Sequence, residues 1–414
     1  MQQQTTTNQL PSRVCFESLE LHVRLQAQKW LQRILEEEVT AHLGRLKSQR
    51  RTQVDAEPGY RNGYGKPRHL TLSTGTLTVR RPRVRGLSER FQSRILPWFR
   101  RHSAAVGELL PELYLHGLSS GDFDLALRGL LGEGAPLSAS SIDRLKAVWQ
   151  AEYEEWKQRS LADLEVVYLW VDGLYVKAGL EKDKAAILVV VAALRDGRKV
   201  VVAVESGQRE STESWSAILR DLKQRGLNCP QLVIGDGHLG IWGALANVYA
   251  QAREQRCWNH RIVNVLDKVP PKDQATAKQM VTAIPYAETK EAAERKKRVF
   301  QEWCAKKGYA AAGQLLDRDW ERMTTFYGFP KEHWKHLRTT NVVESPFATV
   351  RLRTTAAKRY KKVPNATAVI WKTLLVAEKS FRKLNAPELL AEVAAGAAYL
   401  NGVRITKGRK RVPA

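Results

Sequence analysis

Cysteine is scarce in this chain. Its four residues, Cys15, Cys229, Cys257 and Cys304, lie far apart in 414, which excludes a disulfide-stapled scaffold and fits a reducing compartment. Long apolar runs are missing too. No stretch approaches the roughly 18 residues a bilayer-spanning helix needs, and the polar opening MQQQTTTNQLPSR has no apolar signal-peptide region, so a cytoplasmic protein with no membrane partner is expected. Acid is short relative to base: 43 Asp and Glu stand against 67 Lys and Arg, a formal net charge of +24. That imbalance is silent on fold but favours a polyanionic partner, because each neutralised phosphate releases condensed counterions.

The basic residues that are present cluster. Half of the surplus falls between Arg45 and Arg101, where 15 Lys and Arg face 3 acids; RLRTTAAKRYKK (Arg351 to Lys362) has six bases and no acid; the tail carries TKGRKR. At this length two or three domains are expected. Residues 1–15 read as a disordered start, and 16–160 as a DNA-binding region. Within it, Ala27, Trp30, Leu31, Ile34, Leu35, Val39 and Leu43 recur at helical spacing. Leu70 and Leu72, then Leu77 and Val79, alternate with polar residues across the turn Ser73-Thr74-Gly75, predicting a β-hairpin that carries Arg80, Arg81, Arg83 and Arg85 at its end. From 120 to 156 a helix, a break at Gly132 to Pro136, and a second helix bearing Ile142, Leu145, Val148 and Trp149 fit either a helix-turn-helix or an ordinary helical hairpin. In the first case Ser140, Ser141 and Arg144 face the DNA groove.

The texture changes at Val166. Three β-rich runs separated by glycine turns predict an antiparallel meander; a helix (Ser211 to Arg225), a short strand (Gln231 to Ile234) and a second helix near His238 follow. That order is that of a ribonuclease-H-like α/β core, here assigned to 161–260. Residues 261–338 show no strand signal and read as a helical insertion, 339–390 as a returning core helix with a basic face, and 391–414 as a basic tail.

Three acids stand out by location. Asp172 sits among apolar neighbours in VYLWVDGLYV, where an unpaired buried carboxylate would cost several kcal/mol. Asp236, in GDGHLG, ends the fourth strand, where α/β sheets open onto their sites. Glu344, in TTNVVESPFATVRLRT, precedes a helix that turns basic. The three lie 64 and 108 residues apart, by itself a weak motif; two aspartates on neighbouring strands and one glutamate on a helix crossing the sheet would suffice for a two-metal phosphoryl-transfer site. Singly, each has a plainer reading: a turn at Asp172-Gly173, an N-cap at Asp236, a first-turn acid at Glu344. The glycines around Asp236 are no dinucleotide fingerprint, since an acid there would repel pyrophosphate.

VDGLYVKAGLEKDKAAILVVVAAL, ESGQRESTESWSAILRDLKQRGL, GDGHLGIWGAL, QRCWNHRIVNVLDKVP and TTNVVESPFATVRLRT together resemble the Mutator-type transposases of bacterial insertion sequences, as does YRNGYGKPRHLTLSTGTLTVRRPR. The likeness covers nearly the whole chain. It implies an α/β, ribonuclease-H-like catalytic core with an α-helical insertion, preceded by a mostly helical DNA-binding region containing the hairpin. It also implies a D, D, E triad, which falls on Asp172, Asp236 and Glu344. Where the family more often has proline and isoleucine, this chain has Val342-Val343.

The implied enzyme is a DDE transposase holding two Mg²⁺ ions, with Mn²⁺ able to substitute, on those three acids. Its partners are double-stranded DNA, as terminal inverted repeats and as target, and a second copy of itself, in a nucleoid-associated setting. A circular intermediate and a short target duplication are further implications of the resemblance. Arg351, Arg353, Lys358 and Arg359 are expected to grip phosphates beside Glu344. Cys257 and His260 form a C-x2-H pair that with His333 and His336 makes a candidate zinc cluster; packing near the site is the other reading. His238 is either a helix cap or a phosphate contact, and Trp258 either a base-stacking platform or core. The alternatives to a transposase are a catalytically idle DNA-binding descendant and a ribonuclease-H-like nuclease.

Overall fold

In α1 (Phe16–Leu43), Leu31, Leu35 and Val39 recur at helical spacing and are buried, the first two against Leu77 and Val79 of the hairpin formed by β1 (Tyr60–Leu72) and β2 (Gly75–Arg85). Polar side chains complete the join. Gln32 accepts from Arg80 N at 2.9 Å and donates to Arg80 O at 2.8 Å, so the outer edge of β2 is hydrogen-bonded by a helix rather than left open. Trp30, expected on the apolar face, is instead exposed. The strands run further back than the Leu70–Val79 alternation suggests. Register shifts at Tyr64 and Pro67 absorb a Gly/Pro-rich stretch that cannot hold a regular ladder.

The computed structural model describes residues 16–50, 59–89, 91–96, 101–118, 122–132, 139–179, 184–207, 209–237 and 239–405. The chain divides into two compact units, Met1–Leu145 and Lys146–Ala414. The first continues with α2 (Ala104–Leu115), capped by Ser103, then α3 (Asp122–Leu131) and the start of α4 (Ala139–Gln158), inside which the division falls. Most of the expected break between α3 and α4 lies outside the described residues.

The second unit is built on one mixed sheet. β3 (Val166–Val176), β4 (Ala185–Leu194) and β5 (Lys199–Gly207) pair antiparallel, as the meander reading expects. After α5 (Thr212–Gln224), β6 (Leu232–Gly235) joins β3 in parallel; after α6 (Leu239–Val248), β7 (Arg253–Arg256) joins β6, giving the order β5-β4-β3-β6-β7. β7 is absent from the sequence reading because REQR at a sheet edge has no apolar pattern to betray it. One sheet face packs on Trp215, Ile218 and Leu222 of α5 and on Ile241, Trp242 and Leu245 of α6. On the other, Tyr168 meets Phe329 and His333, and Trp170 donates its indole N–H to His336 O. With both faces covered, β4 reads as an almost unbroken apolar run.

Helices then dominate, as expected: α7 (Trp258–Leu266), α8 (Pro271–Thr282), α9 (Lys290–Lys307), α10 (Ala310–Gln314), α11 (Trp320–Thr324) and α12 (Trp334–Leu337). They are followed by α13 (Asn341–Glu344), α14 (Phe347–Ala357), α15 (Val363–Glu378) and α16 (Glu388–Ala394). Beyond α16, where the reading has only a basic tail, a small hairpin of β8 (Tyr399–Leu400) and β9 (Val403–Arg404) forms, and Asn401 Oδ1 accepts from Lys290 N. Residues 406–414, with TKGRKR, lie outside the described residues. No helix among the described residues is long and apolar enough to cross a membrane.

Candidate active site

Strand register brings the two aspartates together. β3 and β6 pair in parallel with Trp170 opposite Ile234, so continuing two residues along each strand sets Asp172 level with Asp236 at the same end of the sheet. Gly237 makes the turn out of β6 with φ +97°, and the Arg256 guanidinium fills the space a side chain there would need. Arg256 and Arg261 both pair with Asp319 from the helical insertion, supporting the Asp236 loop from below.

Glu344 arrives on α13, which packs on β3 and β4. The segment before it is pinned to α7: Arg338 O accepts from Trp258 N at 2.9 Å, and Asn259 Nδ2 donates to Asn341 Oδ1 at 2.9 Å. Thr340 is the joint. Its backbone N–H and hydroxyl lie 3.3 and 3.2 Å from the buried Cys257 Sγ, and the hydroxyl also contacts Glu344 Oε1.

His260, on the first turn of α7, stands between the acids, with Nδ1 3.6 Å from Asp236 Oδ1 and 3.8 Å from Glu344 Oε1. Hydrogen bonding to Cys257, opposed by burial and reinforced by the nearby carboxylates, pushes its pKa up to about 9, so the ring is a cation at neutral pH. Asp172 is 8% exposed. Burial, with Glu344 and Glu210 nearby, raises its carboxyl to about 7, against the pull of the Gly173 N–H and of His260. Glu210 is a fourth acid that the sequence reading misses; it lies against Gly173 and hydrogen-bonds with Tyr175. Its only local signal is a position just ahead of the Ser211 cap of α5.

Such a site fits divalent metal. Carboxylates gather around one imidazolium, the only charge of opposite sign among these groups, and burial, with Glu344 and Glu210 nearby, holds the Asp172 carboxyl up at about 7. Ligand atoms of Cys257, His260 and Glu344 also fall within 4.8 Å of one another.

The family described as Transposase, Mutator family matches residues 2–383. The chain belongs to the Mutator family of transposases. It is 44% identical over 297 residues to the transposase for insertion sequence element IS6120 of Mycolicibacterium smegmatis, covering 72% of this chain and 92% of that one. It is 39% identical over 281 residues to the transposase for IST2 of Acidithiobacillus ferrooxidans, covering 67% and 94%. A third relative, the transposase for ISRM5 of Rhizobium meliloti, is 31% identical over 330 residues, covering 78% and 79%.

Other expected site residues of this Mutator-family chain divide by where they lie. Trp258 is 1% exposed, donates its indole N–H to Met323 O and packs edge-on against Trp320, so it is core and offers no ring to a base. The zinc quartet is not assembled. His333 is fully buried with Nδ1 on the Tyr168 hydroxyl and Nε2 on Ala386 O, and His336 Nε2 accepts from Asn385 N. Arg353 corrects the expectation of a phosphate contact: at 1% exposed it points into the protein from α14. Arg351 and Lys358 are exposed; Arg359, also exposed, donates to Gly179 O. On β2, Arg80, Arg83 and Arg85 are exposed, and Arg81 donates to Phe91 O. Arg144 is exposed on α4, Ser140 and Ser141 belong to its first turn, Val148 is exposed rather than core, and His238 lies outside the described residues.

Proposed function

We propose that this protein is a DNA transposase of the DDE type, which binds the terminal inverted repeats of its insertion sequence and catalyses metal-dependent cleavage and strand transfer. One observation carries the reading: Asp236 at the end of β6 and Glu344 on α13 flank His260, and Asp172 on β3 lies near enough to feel the charge of both His260 and Glu344. The mixed five-strand sheet, with a helical insertion ahead of the glutamate, supports reading this unit as a ribonuclease-H-like core. A formal charge of +24 suits a protein that must hold two DNA substrates.

Asp172, Asp236 and Glu344 would hold two Mg²⁺ ions, with Mn²⁺ able to substitute. When bound, such ions sharpen a water or a 3′-hydroxyl as nucleophile and stabilise the leaving oxygen. The protein's own groups orient and screen. Thr340 fixes the rotamer of Glu344, Asp319 and its arginines brace the Asp236 turn, and His260 keeps a proton between two acids that would otherwise repel. Hydrolysis of the phosphodiester at the element's end leaves a 3′-hydroxyl and a 5′-phosphate. That hydroxyl then attacks a target phosphodiester, forming a new ester as the old P–O bond breaks.

Arg351, Lys358 and Arg359 are the exposed phosphate contacts beside Glu344, while Arg80, Arg83, Arg85 and Arg144 bind the repeats in the first unit. Joining two ends requires at least a homodimer. The reading is tested by incubating wild type and Asp236→Asn with Mg²⁺ and DNA carrying the element's ends. Cleavage by wild type alone supports it; binding without Mg²⁺-dependent cleavage by either identifies a catalytically idle DNA-binding protein.

A further inference from the structure

Beside the acids lies a cavity of about 640 Å³ that the reaction above does not use. It shares α13 with Glu344, through Asn341 on its wall, and α7 with His260, through Asn259; these two asparagines are hydrogen-bonded to each other. Its volume falls in the roughly 300–1,000 Å³ range of small-ligand pockets.

The lining is one-sided in charge. Lys199, Lys335, Arg338 and Arg382 contribute to it, and no acid does. None of the four has an acidic partner within 4 Å among the described residues. Two are partly withdrawn from water. Burial and the charge of Lys335 lower the Lys199 pKa, and burial lowers that of Arg338. Unpaired cations gathered in a concave wall repel one another and focus a field that an anion relieves.

The cavity also offers an aromatic face. Tyr286 is 68% exposed, and the Arg338 guanidinium lies 4.7 Å from its ring centroid. Arg338 is itself enclosed by Phe326 and Trp334, with ring centroids at 5.2 and 5.6 Å, so it braces the tyrosine from within while the rest of the ring faces out. Cations for a backbone and an open ring for a base are the two elements of single-strand recognition.

We propose that this cavity receives an unpaired nucleotide of the DNA being processed, its phosphate on Lys335 and Arg382 and its base on Tyr286. The proposal rests on the DNA-transposase reading and adds a single-strand site to it. Such a site holds the strand next to the scissile bond open, so that the duplex end does not re-anneal across the acids.

The test uses the full-length protein, a labelled ten-nucleotide oligothymidylate, a blunt duplex with the same label, and an oligothymidylate carrying one 2-aminopurine. Tyr286→Ala and Arg382→Ala, both at exposed positions, are each expected to weaken oligothymidylate binding about tenfold while changing duplex binding less than twofold. Tyr286→Phe should keep wild-type affinity and 2-aminopurine quenching, because the ring and not the hydroxyl is used. Variants that bind oligothymidylate like wild type, or that lose equally on oligothymidylate and duplex, overturn the proposal. Mg²⁺-dependent cleavage by wild type and Asp236→Asn, run in parallel, separates the two ideas. Cleavage lost in Asp236→Asn with oligothymidylate binding unmoved by Tyr286→Ala sinks the single-strand site alone; equal cleavage by both proteins sinks the catalytic reading whatever the oligonucleotide does.

Discussion

The His260 ring nitrogen Nδ1 lies 3.6 Å from Asp236 Oδ1, which joins the start of α7 to the turn after β6. With a pKa near 9 the ring carries charge at neutral pH and offsets the repulsion between Asp236 and Glu344. His260→Ala is therefore expected to let the two carboxylates part and to slow single-turnover DNA cleavage by about 10²-fold, the usual cost of misplacing a catalytic group by an ångström. DNA affinity should hold. Unchanged cleavage would show that the ring is incidental.

Asp172 makes the metal-free protein sensitive to pH. Its folded pKa, raised to about 7 chiefly by burial, means that its stabilising protonation is complete below the ordinary value of 3.8 and is lost as pH rises through 7. In EDTA, wild type should lose a few kcal/mol, seen as a fall in Tm of several degrees, between pH 4 and pH 8. Asp172→Asn should lose less, and Mg²⁺ should restore the Tm of wild type at pH 8 but not that of the variant.

His333 works in the opposite direction. Burial lowers its pKa from 6.5, between the Tyr168 hydroxyl and Ala386 O and with Glu332 and Glu388 nearby. Its contribution is present above about pH 6.5 and is lost as pH falls toward the folded value. Thermal melts should show this acid-side slope in wild type and a shallower one in His333→Phe, which also starts from a lower Tm. Added zinc should shift both melts by the same amount, since neither His333 ring nitrogen is open to a metal.

Two arginines, two residues apart on α14, should part company. Arg353→Ala removes a buried side chain and is expected to cost about 2–4 kcal/mol of stability, read as a lower Tm. Arg351→Ala, at an exposed position, should leave Tm within error, weaken duplex binding several-fold and reduce the salt slope by about 0.9. Matching losses of stability would remove Arg351 from the DNA surface.

What the sequence discloses here follows from local physics. β3 to β5 are legible because strands buried on both faces need continuous apolar runs, and Asp172 is legible because an acid interrupts one. Helical periodicity exposes α1, and the insertion reads as helical because 261–338 carry no strand signal. Long-range packing is what stays hidden. The approach of His260 to Asp236 and Glu344 depends on Thr340 meeting Cys257 across 83 residues, and β7 is a strand only because β6 offers it an edge. Arg353 could not be told from Arg351 because α14 has bases on more than one side, and only its neighbours decide which one is buried.

The account turns on three carboxylates acting as one site. The most direct measurement is the single-turnover joining of a pre-cleaved, 3′-hydroxyl element end to target DNA in Mg²⁺, by wild type, Asp172→Asn, Asp236→Asn and Glu344→Gln. Joining by wild type, and its loss by at least 10³-fold in every variant with DNA affinity retained, is the predicted result. Joining that survives in any one of the three variants at near wild-type rate would contradict the assignment of that carboxylate and of the shared site.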